Sequence, residues 1–308
     1  MDNVDFDALV QKLTPTLQVL EDKRKELLKK GRSQGLLWSA IFLVVGIIAL
    51  LLLKAELLYA IVVVVISVVI FIGCISSKSE ILSSFYKEKV VDEIIRSFCP
   101  GATFSPHSGV DESVFRNCGL FISPDRYHAE DLITGCLDKT SFVCSEVHAE
   151  ERRTRSTKNG VQHYWVDIFK GFLFIADFHK EFRGKTTVVR DSLFKFNMGG
   201  SRVKLENPEF EKVFDVFSTD QIEARYLITP AMMDRMLKLD NTFDKGITLS
   251  FRNSTILVAI PDSKNRFEVS VWSPLNNLNT LKSDFAVLQS LLAIVDELNL
   301  NTRIWSKE

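Results

Sequence analysis

LLWSAIFLVVGIIALLLL (residues 36–53) and LLYAIVVVVISVVIFIGCI (residues 57–75), split by Lys54-Ala55-Glu56, decide how this chain is read. Ser39 and Ser67 are the polar side chains inside the two runs. As a helix, each run spans about 27 Å at ~1.5 Å per residue, close to the hydrocarbon thickness of a bilayer. A helix on a soluble core needs only one apolar stripe. These runs are apolar all round, which suits lipid. Burying both in a water-soluble protein would take a far larger core than 308 residues can build. The expectation is a transmembrane helical hairpin.

The flanks give the orientation. Lys23, Arg24, Lys25, Lys29, Lys30 and Arg32 precede the first run, and Lys78, Lys87 and Lys89 follow the second. The connecting turn has Lys54 alone, balanced by Glu56. Lys and Arg collect on the cytoplasmic side of short flanking segments. An even number of spans then leaves both termini in the cytoplasm. A long polar segment precedes the first run, which argues against a cleaved signal peptide.

The formal net charge of -1 gives no sign of a nucleic-acid partner. The five cysteines, Cys74, Cys99, Cys118, Cys136 and Cys144, are odd in number and irregularly spaced. That argues against a disulfide framework and suits a reducing cytosol. No Cys-x-x-Cys pair offers a zinc knuckle.

Residues 1–35 form the first segment, with an amphipathic helix over Asp5–Arg32. Leu9, Leu13, Leu17, Leu20 and Leu27 recur at helical spacing, and Pro15 predicts a kink or break. Three placements stay open for it: packing on the cytoplasmic domain, a coiled coil with a second copy, or lying on the membrane. Residues 36–75 are the hairpin, and residues 76–99 a juxtamembrane stalk helix stopped by Pro100-Gly101. No breaker separates the stalk from the second run, so a signal-passing helix is one reading.

Residues 100–308 read as a cytoplasmic α+β domain, a mostly antiparallel sheet with covering helices and a candidate sub-boundary at 197–201. Strands are expected at Ser113–Ile122, Leu132–Leu137, Ser141–Glu150, Gln162–Phe178, Thr186–Arg190, Ile247–Arg252, Thr255–Ile260 and Phe267–Trp272. Phe172-Leu173-Phe174-Ile175 is apolar on both faces and belongs on a central strand. Helices are expected at Pro208–Phe214, Asp220–Leu227, from Thr229-Pro230 to about Leu239, and from Leu278 to Leu298.

Several runs resemble a bacterial domain-of-unknown-function family, number 3137. They are Phe115-Arg116-Asn117-Cys118-Gly119-Leu120-Phe121, Glu130-Asp131-Leu132-Ile133-Thr134-Gly135 and Ile168-Phe169-Lys170-Gly171-Phe172. Phe182-Arg183-Gly184-Lys185-Thr186, Glu206-Asn207-Pro208-Glu209-Phe210-Glu211, Asp220-Gln221-Ile222-Glu223-Ala224-Arg225-Tyr226 and Leu298-Asn299-Leu300-Asn301 extend the resemblance. It implies two transmembrane helices ahead of the domain, a bacterial inner membrane, and a shared complex with a LemA-like membrane protein. It implies no activity.

Candidate chemistry is thin. No phosphate-cradling glycine loop, nucleophile elbow or His-Glu-x-x-His occurs. No cofactor and no catalytic residue is assigned. Glu146, His148 and Glu150 alternate along one strand face, and His163 follows across the next turn. Glu146, His148 and His163 are therefore the candidate metal ligands, against the plainer reading of a solvated strand face. Arg152-Arg153-Thr154-Arg155-Ser156-Thr157-Lys158 reads as a solvated basic tip without interleaved aromatics. Asp220, Glu223 and Arg225 are placed to form an ion-pair cluster on one helix. The function expected is a membrane-anchored interaction or scaffold module, touching the bilayer and a membrane-protein partner or a second copy. The alternatives are a membrane-tethered metal-dependent hydrolase and a ligand sensor.

Overall fold

The computed structural model describes residues 5–53, 57–157, 160–178, 181–190 and 199–300. The expected turn at Lys54-Ala55-Glu56 and, in the candidate sub-boundary, Asn197-Met198 lie outside these residues. Two compact units divide the chain. One holds Val4–Ile94 with Phe267–Ala286; the other holds the described parts of Ile95–Arg266 and Val287–Glu308.

The first unit is helical. Helix α1 runs over Phe6–Leu53 and α2 over Leu57–Ser76; α3 (Lys78–Tyr86) and a π-helical turn at Lys87–Val91 lead into α4 (Asp92–Phe98). Contrary to the sequence expectation, α1 passes through Pro15 unbroken. Leu13 and Leu17 are buried on either side of it, and packing of that face outweighs the ~3 kcal/mol helix penalty of proline. The leucine face of α1 lies inside this unit, where Phe6 meets Phe285 edge-on at 5.2 Å and Lys12 pairs with Glu93.

Helices α1 and α2 approach closely where glycine removes a side chain. A Cβ on Gly35 would stand 2.9 Å from the Phe71 ring, and one on Gly46 would stand 2.5 Å from Val63. Small residues at such crossings let backbones meet, as in lipid-embedded helix pairs. By length and composition three helices suffice to cross a membrane: Phe6–Leu52, Leu58–Phe98 and Leu278–Glu297. Their most apolar stretches are 6%, 11% and 44% buried, so the first two bare their apolar surface and the third covers nearly half of its own.

Phe267–Trp272 alternates like a strand, yet no strand forms there. It is an irregular strap with side-chain partners for several of its backbone groups. Ser83 Oγ donates to the Val269 carbonyl and accepts from the Val269 N–H, both at 3.0 Å. Ser79 Oγ accepts from Val271 N–H at 3.2 Å, and Ser76 Oγ accepts from the Trp272 indole at 3.2 Å. These serines share one helical face by their spacing of three and four. Arg24, held by Glu21 at 2.7 Å, donates to the Val271 carbonyl at 2.7 Å; Glu21 also accepts from Leu275 N–H at 3.0 Å.

The second unit is built on a nine-stranded antiparallel sheet among the described residues. Its strands are β1 (Thr103–Ser105), β2 (Arg126–Leu137), β3 (Thr140–Thr157), β4 (Gly160–Asp177), β5 (Thr186–Arg190), β6 (Ser201–Val203), β7 (Phe214–Ser218), β8 (Thr248–Arg252) and β9 (Thr255–Pro261). The order across the sheet is β1-β2-β3-β4-β9-β8-β5-β7-β6. Phe172, Leu173 and Phe174 on β4 are buried on alternating faces, as their apolarity predicts. Leu173 joins Val147, Ala149, Phe169 and Leu257 in one core with Phe115. Phe174 stacks on Phe142 at 5.4 Å across the other face.

Ser113–Ile122 departs from the expected strand. It opens as helix α5 (Glu112–Asn117), because Asp111 accepts from Ser113 N–H at 2.8 Å and caps the turn. Helices α6 (Pro208–Val213), α7 (Gln221–Leu227) and α8 (Pro230–Thr242) follow the expected placements, and the single helix expected from Leu278 to Leu298 is divided at Ala293 into α9 (Leu278–Leu292) and α10 (Ile294–Glu297).

Replacing Ser83 with alanine strips both backbone partners from buried Val269. The expected loss is about 1–3 kcal/mol, read as a lower denaturant midpoint in detergent, with faster proteolysis at residues 267–277.

Candidate functional site

The predicted ligands Glu146, His148 and His163 sit on one face of the β3–β4 ladder, as alternation requires, and the register spaces them along it. Glu146 lies opposite Phe172, His148 opposite Lys170, and His163 opposite Thr154. Six residues of β3 separate His148 from the position facing His163, about 20 Å at ~3.3 Å per residue. His163 Nδ1 instead meets Thr154 Oγ1 at 3.2 Å. Glu146 is buried and accepts from Arg266 N–H at 3.1 Å. The three are not brought to one point.

A different trio is. The register skips one residue of β4 at Ile168, so that Ala149 faces Phe169 while Glu150 faces Asp167. This bulge re-aims Asp167, whose carboxylate meets His148 Nε2 at 2.8 Å. His148, Glu150 and Asp167 each present a ligand atom within 4.8 Å of the others. One nitrogen and two oxygen donors are a set that zinc or a similar ion accepts, with positions left open. The site is shallow: Asp167 is exposed and His148 half-buried. Asp167 and the bulge were missed in the sequence because a bulge leaves no mark in the alternation.

A cleft of about 840 Å³ opens where Phe182-Arg183-Gly184 meets Asp220 and Glu223. Here the expected ion-pair cluster does not form. Glu223 accepts from Arg183 N–H at 2.8 Å and Gly184 N–H at 2.5 Å. Asp220 caps α7 by accepting from Ile222 and Glu223 N–H groups, both at 2.9 Å. Arg225 donates to the carbonyls of Gln221 at 3.0 Å and Lys204 at 3.2 Å. A Cβ on Gly184 would stand 2.2 Å from the Glu223 carboxylate, so glycine is what lets the clamp close. The charges tie loops to α7 and leave no free acid–base pair among these three.

Cys118 and Cys144 are not poised nucleophiles. Burial pushes the Cys118 and Cys144 thiols up, which disfavours the thiolate that reacts.

The family described as "Protein of unknown function (DUF3137)" matches residues 167–300. This is the family that the motifs resemble, and the runs from Ile168 to Leu300 fall within the match. Phe115–Phe121 and Glu130–Gly135 lie ahead of it. No curated protein matches the chain. Among solved structures, the chain is similar to the mycobacterial trehalose monomycolate transport factor A at 10% identity, covering 67% of this chain and 95% of that one. The TM-score is 0.35, and the likeness carries no argument here.

Glu223→Ala removes the acceptor of two backbone N–H groups. A destabilisation of about 1–3 kcal/mol is expected, with faster hydrogen exchange at Arg183 and Gly184 as its local signature.

Proposed function

We propose that the chain is a membrane-anchored interaction module: a two-span protein of the bacterial inner membrane with both termini and the sheet unit in the cytoplasm. The observation that carries this reading is the outward face of the two runs. Leu51, Leu52 and Leu58 are 73%, 79% and 65% exposed, and exposed valines and isoleucines continue the surface along both helices. Such an area in water is untenable; in lipid it is the ordinary state. The basic flanks support the orientation. The near-continuous course of α2 into α3 supports a rigid link out of the bilayer. The partner in this reading is another membrane protein, with the LemA-like family suggested by the resemblance, or a second copy.

A second reading, a membrane-tethered metal-dependent hydrolase, draws on His148, Glu150 and Asp167. Metal analysis of untagged protein separates the two. In the interaction-module reading no ion co-purifies, and His148→Ala changes stability by no more than about 0.5 kcal/mol. Close to one ion per chain, lost in His148→Ala, would put the enzyme first.

For topology, reporter fusions placed after Ile75 and at Glu308 are expected to behave as cytoplasmic, and the protein to stay in the membrane pellet at alkaline pH. An export-active reporter at either point would overturn the orientation.

A further inference from the structure

The basic segment at Arg152 is no loop. It is the outer half of β3, paired with β4 in a two-stranded arm. Among the described residues β2 ends its pairing at Arg126, opposite Glu150, and β9 pairs only with Gly171–Asp177. From Glu151↔Val166 to Thr157↔Gly160, seven cross-strand pairs therefore have no other neighbour. At ~3.3 Å per residue the arm reaches about 23 Å from the sheet. Isolated two-stranded ribbons are marginal in water, and this one leaves large side chains bare: Val161, Tyr164 and Trp165 are 63%, 45% and 36% exposed.

Its chemistry is sorted along its length. Asp125, Glu150 and Asp167 stand at the base, and Glu151 is the one carboxylate among the described arm residues. Beyond them come Arg152, Arg153 and Arg155, of which Arg153 pairs with Glu151 on its own strand. The register puts Arg152 opposite Trp165 and Arg153 opposite Tyr164. Each face of the arm thus pairs a guanidinium with an aromatic ring, an interleaving that runs across the ladder and is invisible along the chain. Arg126 adds a further guanidinium, 3.5 Å from the Trp165 ring centre.

We propose that the arm docks on an anionic phospholipid surface, its arginines on the head groups and its Trp165, Tyr164 and Val161 in the interfacial layer. Charge complementarity selects an anionic partner. Tryptophan and tyrosine beside arginine fit the head-group level, where one end of the ring is apolar and the other wet. An exposed valine gains from lipid and gains nothing from a phosphate backbone, which favours lipid over nucleic acid. The arginines also blunt the β3 edge of the arm against pairing with a second copy. The inference goes beyond the membrane anchoring and rests on it only for the surface being near: a domain tethered to a bilayer sees that bilayer at high effective concentration.

The test is hydrogen exchange of the full chain in nanodiscs of phosphatidylcholine alone and of phosphatidylcholine with phosphatidylglycerol. Amides of residues 151–166 are expected to exchange about five-fold or more slowly in the anionic discs, from roughly 1 kcal/mol per engaged arginine. The protection should vanish in high salt and in the Arg152→Gln, Arg153→Gln, Arg155→Gln triple variant, with the sheet's exchange pattern unchanged. Equal rates in the two lipids overturn the proposal. So does protection in neutral discs by a single-stranded oligonucleotide, or protection that follows two chains per disc whatever the lipid charge. Should the chain elute apart from the discs, the anchoring reading fails instead. Flotation with vesicles of the same two compositions then decides the arm alone: arginine-dependent flotation with anionic vesicles upholds it, and none overturns it.

Discussion

β4 has eighteen residues and two full neighbours along less than half of them. Much else in the sheet unit follows from that imbalance. Where β3 and β9 flank it, its side chains are buried on both faces, and Phe172-Leu173-Phe174 supplies core to two layers at once. Where β9 is absent, the same strand has only β3, and its residues turn polar, basic and aromatic. A single strand thus carries both core residues and exposed ones. The bulge at Ile168 lies near that transition and there adds twist to the ladder.

Charge in this protein is spent largely on backbone. Arg24 holds the strap carbonyl of Val271, Glu223 holds two N–H groups of the Arg183–Gly184 turn, and Asp220 and Asp111 hold helix starts. An ionised partner strengthens such hydrogen bonds to roughly twice a neutral one. Long connections therefore take fixed shapes without regular pairing. Two carboxylates that line the 840 Å³ cleft, those of Asp220 and Glu223, are already so engaged.

What was legible in the sequence was local. β5 has the bounds its β-branched run predicts, Thr229-Pro230 opens α8 with Thr229 accepting from Met232 N–H, and the double-faced β4 run sits at the centre of the sheet. What was not legible depended on partners far away. Phe267–Trp272 has a strand's alternation, but serine hydroxyls take its polar groups before any strand does. Ser113–Ile122 has a strand's composition, but one aspartate cap decides for helix. His163 has the right face and the wrong distance from His148, because the register pairs it with Thr154, six residues along β3. The pairing of Arg152 with Trp165 and Arg153 with Tyr164 was hidden for the same reason: neighbours across a ladder are remote along the chain.

The strap has a consequence in time. Ser83 and Val269 are 186 residues apart, and Arg24 and Val271 are 247 apart. A ribosome adding ~5–20 residues per second needs roughly 10–40 s to travel from the serine to its partner. Throughout that interval Ser83 and Arg24 lack their strap partners. The whole of the sheet from β1 to β9 is translated before the segment that completes the helical unit. That unit starts before β1 and closes after β9, so its closure marks a chain synthesised past the sheet strands.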